Sequence, residues 1–111
     1  MKKKILISDK IAQEGLDLLE KNGSFEVVYK TDCDVEELKK QIKDAHALII
    51  RSATKVTEEI INASEKLEVI ARAGIGLDNV DIPRATEKGV VVMNTPGGNT
   101  VSTAEQAVGM I

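Results

Sequence analysis

Short apolar runs alternate with amphipathic segments along almost the whole chain, and this alternation restricts the folds that the sequence can adopt. The runs are rich in β-branched residues, and the segments between them carry apolar residues at helical spacing. The predicted strands cover residues 5–8, 25–29, 47–50, 69–71 and 90–93. Strands that alternate with helices form a parallel sheet with helices on both faces. We therefore predict the α/β class, with a flavodoxin-like, parallel five-stranded sheet in the order 2-1-3-4-5.

Residues at the ends of the amphipathic segments support this alternation. Asp34 precedes one segment and Glu37 follows at the spacing of a capping box. Thr57 stands in the capping position of the next segment. Pro83 near the start and Gly89 at the end of the following segment match the usual preferences of helix termini. The segments between the strands are therefore predicted to be helices.

The size and charge of the chain exclude several classes of partner. With 111 residues, the chain is long enough for one domain. A net charge of −3, one Tyr, one Phe and no Trp do not suit binding to nucleic acid. No stretch approaches the ~18 consecutive apolar residues of a membrane span, and the basic start of the chain is not followed by the apolar region of a signal peptide. We therefore expect a cytoplasmic location and no membrane partner.

Few residues of the sequence could carry catalysis. His46 is the only histidine, and it precedes the strand at 47–50, at the edge of the sheet opposite to the one where ligands bind in such folds. Cys33 is the only cysteine, and its acidic neighbours do not activate a thiol. Neither a cluster of metal ligands nor a nucleophile motif is present. The residues alone therefore predict no catalytic residue and no metal site.

The stretch ARAGIGLDN at 71–79 joins a predicted strand to a predicted helix, as the glycine-rich turn of a dinucleotide-binding fold does. Gly74 and Gly76 occupy the first two glycine positions of that motif, but Asn79 occupies the third. The acidic residue expected about 20 residues later is also missing. A pyrophosphate-binding turn is therefore disfavoured. Two alternatives stay open, namely a turn whose backbone N–H groups bind an anion and a turn without a ligand.

Two arginines favour anion binding. Arg51 follows the third predicted strand and Arg72 lies at the end of the fourth, and these strands are neighbours in the predicted order. Ligands bind beyond the carboxyl ends of parallel strands, where two guanidinium groups beside the glycine-rich turn could bind a phosphate or a carboxylate. The alternative is a surface salt bridge to Asp78 or Asp81.

Three motifs, RSATKVT, RAGIGLDNVD and NTPGGNTVSTAE, occur in an order and spacing that resemble the N-terminal part of D-isomer-specific 2-hydroxyacid dehydrogenases. The resemblance covers essentially the whole chain, and within the family it points to enzymes that oxidise 3-phosphoglycerate with NAD, at the start of serine synthesis. It implies a substrate-binding (outer) lobe at 1–101 and the start of a hinge or crossover helix at 102–111. The resemblance further implies that the Rossmann cofactor domain of the family, with its catalytic Arg, Glu and His, is absent from this chain.

The resemblance also implies roles for individual residues. The implied substrate-binding residues are Arg51, Ser52, Arg72, Ala73 and Gly74. The two arginines would hold the phosphate of the substrate, and the amides of the glycine-rich turn would face its carboxylate. Ile75, which replaces the Thr of some relatives, would contact the nicotinamide end of the cofactor through its backbone only. No catalytic residue is implied within the chain.

We therefore expect a truncated substrate-binding lobe of an NAD-dependent dehydrogenase that acts on 3-phosphoglycerate, not catalytic alone and without tight binding of NAD. The alternative is a non-catalytic, flavodoxin-like scaffold or a module for folding or assembly. The predicted helix from Ser102 is still apolar where the chain ends, at 104–111. We expect such apolar surface to be covered by a second copy, so that the chain forms a homodimer, with exchange of the C-terminal helix as one route to it.

Overall fold

A parallel sheet of five strands lies at the centre of the computed structural model, which describes residues 3–10, 13–21, 25–31, 34–51, 53–73 and 79–95. The strands are β1 (Lys3–Ile7), β2 (Phe25–Tyr29), β3 (Ala47–Ile50), β4 (Val69–Ala73) and β5 (Val91–Thr95). Their order is β2-β1-β3-β4-β5, and each neighbouring pair is parallel. The predicted class and strand order are confirmed.

Helices connect the strands, as the amphipathic spacing predicts. They are α1 (Gln13–Lys21), α2 (Val35–Ile42), α3 (Glu58–Ala63) and α4 (Ile82–Glu87). Within the described ranges, none of them is long and apolar enough to cross a membrane. The C-terminal helix predicted from Ser102 lies outside the described residues.

The helix ends agree with the sequence signals at some positions and differ at others. The Asp34 carboxylate accepts a hydrogen bond from the Glu37 backbone N–H at 2.8 Å, as a capping residue does. Gly89 follows α4 with a φ of 76°, a left-handed conformation that glycine adopts without steric cost. Thr57 stands in the predicted N-cap position of α3 and has the extended backbone of an N-cap residue. Its side chain, however, makes no capping hydrogen bond.

Strand β4 runs further than the apolar pattern predicts. The apolar run ends at Ala71, whereas Arg72 and Ala73 continue the ladder by pairing with Asn94 and Thr95 of β5. The neighbouring strand supplies backbone partners beyond the apolar run, so pairing rather than side-chain type sets the end of the strand. Because of this extension, Arg72 belongs to the sheet and is the next-to-last residue of β4.

Apolar side chains cover both faces of the sheet, because parallel strands flanked by helices are shielded from solvent on each side. On one face, Leu48 and Ile70 pack with residues of α2, α3 and α4 such as Ile60. On the other face, Ile49 and its neighbours pack with Leu19 of α1. The buried central strands therefore hold the loops at their carboxyl ends in fixed relative positions.

His46 has a structural role at the amino edge of the sheet. Its backbone N–H donates to the Lys4 carbonyl at 2.8 Å, and its Nδ1 accepts from the Lys4 N–H at 3.0 Å. Its carbonyl accepts from the Glu68 N–H at 2.8 Å. The histidine thus joins the starts of β1, β3 and β4, at the edge opposite to the predicted ligand site.

Candidate anion-binding site

The carboxyl edge of the sheet brings the two predicted arginines onto neighbouring strands. Ile50 at the end of β3 pairs with Arg72 of β4, so that Arg51 begins the loop beside the end of β4. The Arg51 side chain is exposed, Arg72 is half-buried and Ala73 is buried. The other predicted site residues lie outside the described residues: Ser52, Gly74 and Ile75. The predicted placement of the two strand ends is confirmed, and the contacts of these residues with a ligand stay predictions.

Asp9, two residues after the end of β1, accepts hydrogen bonds from backbone N–H groups of the loop that follows β3. Its carboxylate is only 5% exposed. It accepts hydrogen bonds from the backbone N–H of Arg51 at 2.7 Å, from the backbone N–H of Thr54 at 3.0 Å and from the Thr54 hydroxyl at 2.6 Å. The Ser8 and Thr54 hydroxyl oxygens lie 2.9 Å apart and share a further hydrogen bond. These hydrogen bonds satisfy the buried carboxylate and hold the loop at Arg51 and at Thr54.

Asn79 holds the carbonyl side of the same loop. Its Nδ2 donates to the carbonyl of Arg51 at 2.9 Å and to the carbonyl of Thr54 at 2.7 Å. Its Oδ1 accepts from Nη1 of Arg72 at 2.9 Å. One side-chain amide therefore joins the backbone that carries Arg51 to the guanidinium group of Arg72.

Backbone hydrogen bonds support Asn79 in this position. The Val56 N–H donates to the Asn79 carbonyl at 2.8 Å, and the Asp81 N–H donates to the Val56 carbonyl at 2.9 Å. The side chains of Val56 and Val80 are buried, and these two residues form an isolated parallel bridge. The segment before α3 and the segment before α4 thus form one packed unit at this edge.

Asp81 does not act as the surface salt-bridge partner that the sequence left open for Arg51. Its carboxylate accepts from the Arg84 backbone N–H at 3.1 Å and so caps α4. Within the described residues, Arg51 makes no ion pair with it. Asp78, the other candidate, lies outside the described residues. The structure therefore gives Asp81 a role in capping α4, and anion binding by Arg51 stays a prediction.

A cleft of about 840 Å³ opens beside the Arg51–Thr54 loop, on its β1 side. Lys10, Arg51 and Lys55 line the cleft, together with Asp9 and Asp34. Asp9 accepts the three hydrogen bonds of the loop, and Asp34 caps α2. In the part of the chain that the structure describes, the three cations make no ion pair. The cleft therefore presents positive charge that an anionic ligand could neutralise.

Lys30, which follows β2, contrasts with these cations because it is paired within the fold. Its Nζ donates to a carboxylate oxygen of Glu37 at 3.0 Å. This hydrogen bond, with one from Gln41, lowers the pKa of Glu37 below its ordinary value. The pair lies on the surface, where it contributes little to stability. The cationic groups that are open to a ligand are thus those nearer the centre of the sheet edge.

Metal binding at this edge finds no support among the described residues. No group of three or more His, Cys, Asp or Glu among them could hold a metal ion. Residue-by-residue prediction does not select Asp9 or Asn79 as site residues. A short acidic side chain close after a buried strand is a signal for Asp9, whereas Asn79 stands out in the sequence only as a departure from the dinucleotide-binding motif.

Comparison with known proteins identifies the family. The model of the family described as D-isomer specific 2-hydroxyacid dehydrogenase, catalytic domain, matches residues 5–108. The chain therefore belongs to this family, and the resemblance of its three motifs is confirmed.

Among curated proteins, the chain is similar to D-3-phosphoglycerate dehydrogenases. It is 46% identical to that of Archaeoglobus fulgidus over 108 residues and 50% identical to that of Homo sapiens over 109 residues. These matches cover 97% and 98% of this chain. The chain spans only 20% of the length of each of these relatives.

Solved structures agree with this likeness. The NAD+-bound 3-phosphoglycerate dehydrogenase of Entamoeba histolytica matches with a TM-score of 0.78 at 37% identity, over 87% of this chain and 34% of that one. The PH0520 protein of Pyrococcus horikoshii OT3 matches with a TM-score of 0.80 at 32% identity, over 87% of this chain and 28% of that one. The observed sheet is therefore an architecture of this family.

Substitution of Asp9 by Asn should destabilise the chain. The change replaces one acceptor oxygen by an NH2 group that faces the N–H donors of the loop, and we expect a loss of about 1–3 kcal/mol in the free energy of unfolding. Urea denaturation measures this loss. Asp17→Asn is the matched control, because Asp17 is exposed on α1 and, among the described residues, accepts only from Gln13 at 2.9 Å. Equal stability of Asp9→Asn and the control would contradict the role of Asp9.

Proposed function

We propose that this chain is a truncated substrate-binding lobe of an NAD-dependent D-3-phosphoglycerate dehydrogenase. The parent enzyme oxidises 3-phosphoglycerate to 3-phosphohydroxypyruvate, at the start of serine synthesis. In this proposal, residues 1–101 form the lobe, 102–111 begin the hinge helix, and the Rossmann cofactor domain lies outside the chain. Membership of the family and the small share of the relatives' length support it. The observation that carries it is the connection of Arg51 and Arg72 through the Asn79 amide.

The geometry suits a small substrate that carries both a phosphate and a carboxylate. A guanidinium group donates two parallel hydrogen bonds to either of these anions, and two arginines at adjacent strand ends offer two such donors. Lys10 and Lys55 of the neighbouring cleft add positive charge at the same edge. This charge raises the local concentration of an anionic substrate and speeds its association. The role of the lobe is therefore to bind and orient the substrate.

The described residues do not fit a main binding site for NAD. The side chain of Asn79 stands where the third glycine of the motif would allow close packing, and its amide contacts the loop after β3 and Arg72. Asn94, rather than an acidic residue, lies near the end of β5. NAD accepts a hydride in the family reaction, and the backbone at Ile75 is the point where we expect this lobe to approach its nicotinamide end. These features support the proposal that NAD does not bind tightly to this chain.

The proposal also assigns no acid–base catalysis to this chain. Oxidation of a hydroxyl group requires a base that removes its proton while the hydride departs. His46 is held at the amino edge of the sheet by Lys4, far from the carboxyl edge that carries Arg51. The resemblance places the catalytic Arg, Glu and His of the family in the inner lobe. What the chain supplies is binding and orientation, which prepare a substrate without removing its proton.

Each arginine should contribute to binding of 3-phosphoglycerate. Because each substitution removes charge-assisted hydrogen bonds to the ligand, we expect Arg51→Gln or Arg72→Gln to weaken binding by about ten-fold or more. Isothermal titration calorimetry and 15N NMR titration measure the affinity. Thermal unfolding of each variant distinguishes loss of binding from loss of fold.

Arg84→Gln is the matched control for these substitutions. Arg84 is also half-buried and also contacts an asparagine, Asn62, through its Nε at 2.6 Å, but it lies on α4, outside the site. The control should bind as the unchanged chain does. Absence of binding at millimolar 3-phosphoglycerate, with Arg51→Gln indistinguishable from the unchanged chain, would instead favour the non-catalytic scaffold.

The chain alone should not oxidise 3-phosphoglycerate. Without the inner lobe, neither a catalytic base nor a complete NAD site lowers the barrier to hydride transfer. The measurement is NADH absorbance after incubation of the chain with 3-phosphoglycerate and NAD, beside a protein-free sample. Turnover above that background would contradict the proposal of a non-catalytic lobe.

The proposed assembly is a homodimer in the cytoplasm. Val91 on the edge strand β5 is 42% exposed, and Ile82 at the start of α4 is 38% exposed, which leaves apolar surface for a second copy. The predicted exchange of the C-terminal helix involves residues outside the described part of the chain. Light scattering at increasing concentration should give twice the mass of the chain, and a monomeric mass at the highest concentration would overturn the dimer.

A further inference from the structure

We propose that Asn79 is a positioning residue that sets Arg51 and Arg72 into one arrangement before an anion binds. The inference rests on the proposed function for the use of that arrangement, but the positioning can be measured without any ligand. Asn79 contacts the backbone of the loop after β3 and the side chain at the end of β4. It is therefore placed to control both arginines at once.

The chemistry of the amide matches this role. A side-chain amide offers two N–H donors on one side and a carbonyl acceptor on the other. Both donors of Asn79 are used by the loop, since the carbonyls of Arg51 and Thr54 lie at 2.9 and 2.7 Å from Nδ2. The acceptor faces Nη1 of Arg72 at 2.9 Å. All these contacts require the same orientation of the amide, because a rotated amide would face carbonyl to carbonyl and donor to guanidinium.

Asp9 makes the positioning of the loop complete. It accepts the N–H groups of Arg51 and Thr54, the same two residues whose carbonyls Asn79 holds. The backbone of each residue is therefore fixed on both polar sides, from β1 by a carboxylate and from the segment before α4 by an amide. The Arg51 side chain remains exposed. The backbone of Arg51 is therefore fixed, while its guanidinium group stays accessible to a ligand.

A fixed arrangement should raise the affinity for an anion. Binding to flexible side chains costs conformational entropy, and groups that are held in place before binding avoid part of that cost. The hydrogen bond from Arg72 to Asn79 orients the guanidinium group of Arg72. The hydrogen bonds from Asn79 to the loop fix the backbone from which the Arg51 side chain extends. Asn79 therefore raises the affinity for an anion by positioning the two arginines, without contacting the anion itself.

Substitution of Asn79 tests the inference in this chain. Asn79→Ala removes every contact of the amide, whereas Asn79→Asp keeps an acceptor for Arg72 but removes the donors to the loop. In the absence of ligand, 15N relaxation of the Arg72 Nε–H reports on the guanidinium, and hydrogen exchange of the Arg51 and Thr54 amides reports on the loop. We expect Asn79→Ala to loosen both, and Asn79→Asp to loosen the loop while Arg72 stays ordered.

The effect on affinity is measured with inorganic phosphate and with 3-phosphoglycerate. Asn79→Ala should weaken binding by about ten-fold, the size of losing one hydrogen bond to a charged group. In an Arg72→Gln background, the same substitution should cost less, because the part of its effect that acts through Arg72 is already lost. A residue with a purely structural role would cause the same loss in both backgrounds.

Asn62→Ala is the matched control, because Asn62 also accepts from an arginine, Arg84, but lies on α3. It should change neither the Arg72 relaxation nor the affinity for phosphate. Unchanged relaxation and exchange in both Asn79 variants would overturn the inference, and so would an equal loss of affinity with and without Arg72. If the unchanged chain binds neither anion, the proposed function fails, and the ligand-free measurements alone decide the role of Asn79.

Discussion

The carboxyl edge of this fold depends on the hydrogen bonds that the buried carboxylate of Asp9 accepts from Arg51 and Thr54. A charge that is withdrawn from water must be satisfied by hydrogen bonds, and Asp9 obtains them from the loop after β3. The loop can satisfy Asp9 only when the N–H groups of Arg51 and Thr54 turn toward β1. Their carbonyls accept hydrogen bonds from the side-chain amide of Asn79, in the segment before α4. Asp9 and Asn79 together thus hold the backbone polar groups of Arg51 and Thr54.

The two edges of the sheet have different roles for a related physical reason. At the amino edge, polar groups are used within the fold, as the hydrogen bonds between His46 and Lys4 show. At the carboxyl edge, acidic groups are used to hold backbone, while the cations Arg51 and Lys55 remain open to a ligand. The resulting positive charge fits membership of a family whose relatives include D-3-phosphoglycerate dehydrogenases. The proposed binding site and the fold therefore use separate sets of charges on the same small sheet.

Much of the fold could be predicted because its signals are local. The alternation of apolar runs and amphipathic segments predicts the order of elements, and the Asp34 cap and the Gly89 turn lie where their spacing indicates. The exceptions are positions where contacts with other parts of the fold determine the local structure. β4 extends to Ala73 because β5 offers backbone partners, and Thr57 occupies a cap position without making the hydrogen bond. The types of the side chains alone predict neither the end of β4 nor the missing hydrogen bond of Thr57.

The sequence by itself determined the class of the fold, the strand order, the placement of Arg51 and Arg72 at neighbouring strand ends, and the family. Each of these follows from short-range periodicity or from motifs that are contiguous in the chain. The tertiary structure alone decided how the arginines are held. Asp9 lies 45 residues from Thr54, and Asn79 lies 28 residues from Arg51. No local spacing encodes such pairs, because only the parallel order of the strands brings their loops to one edge.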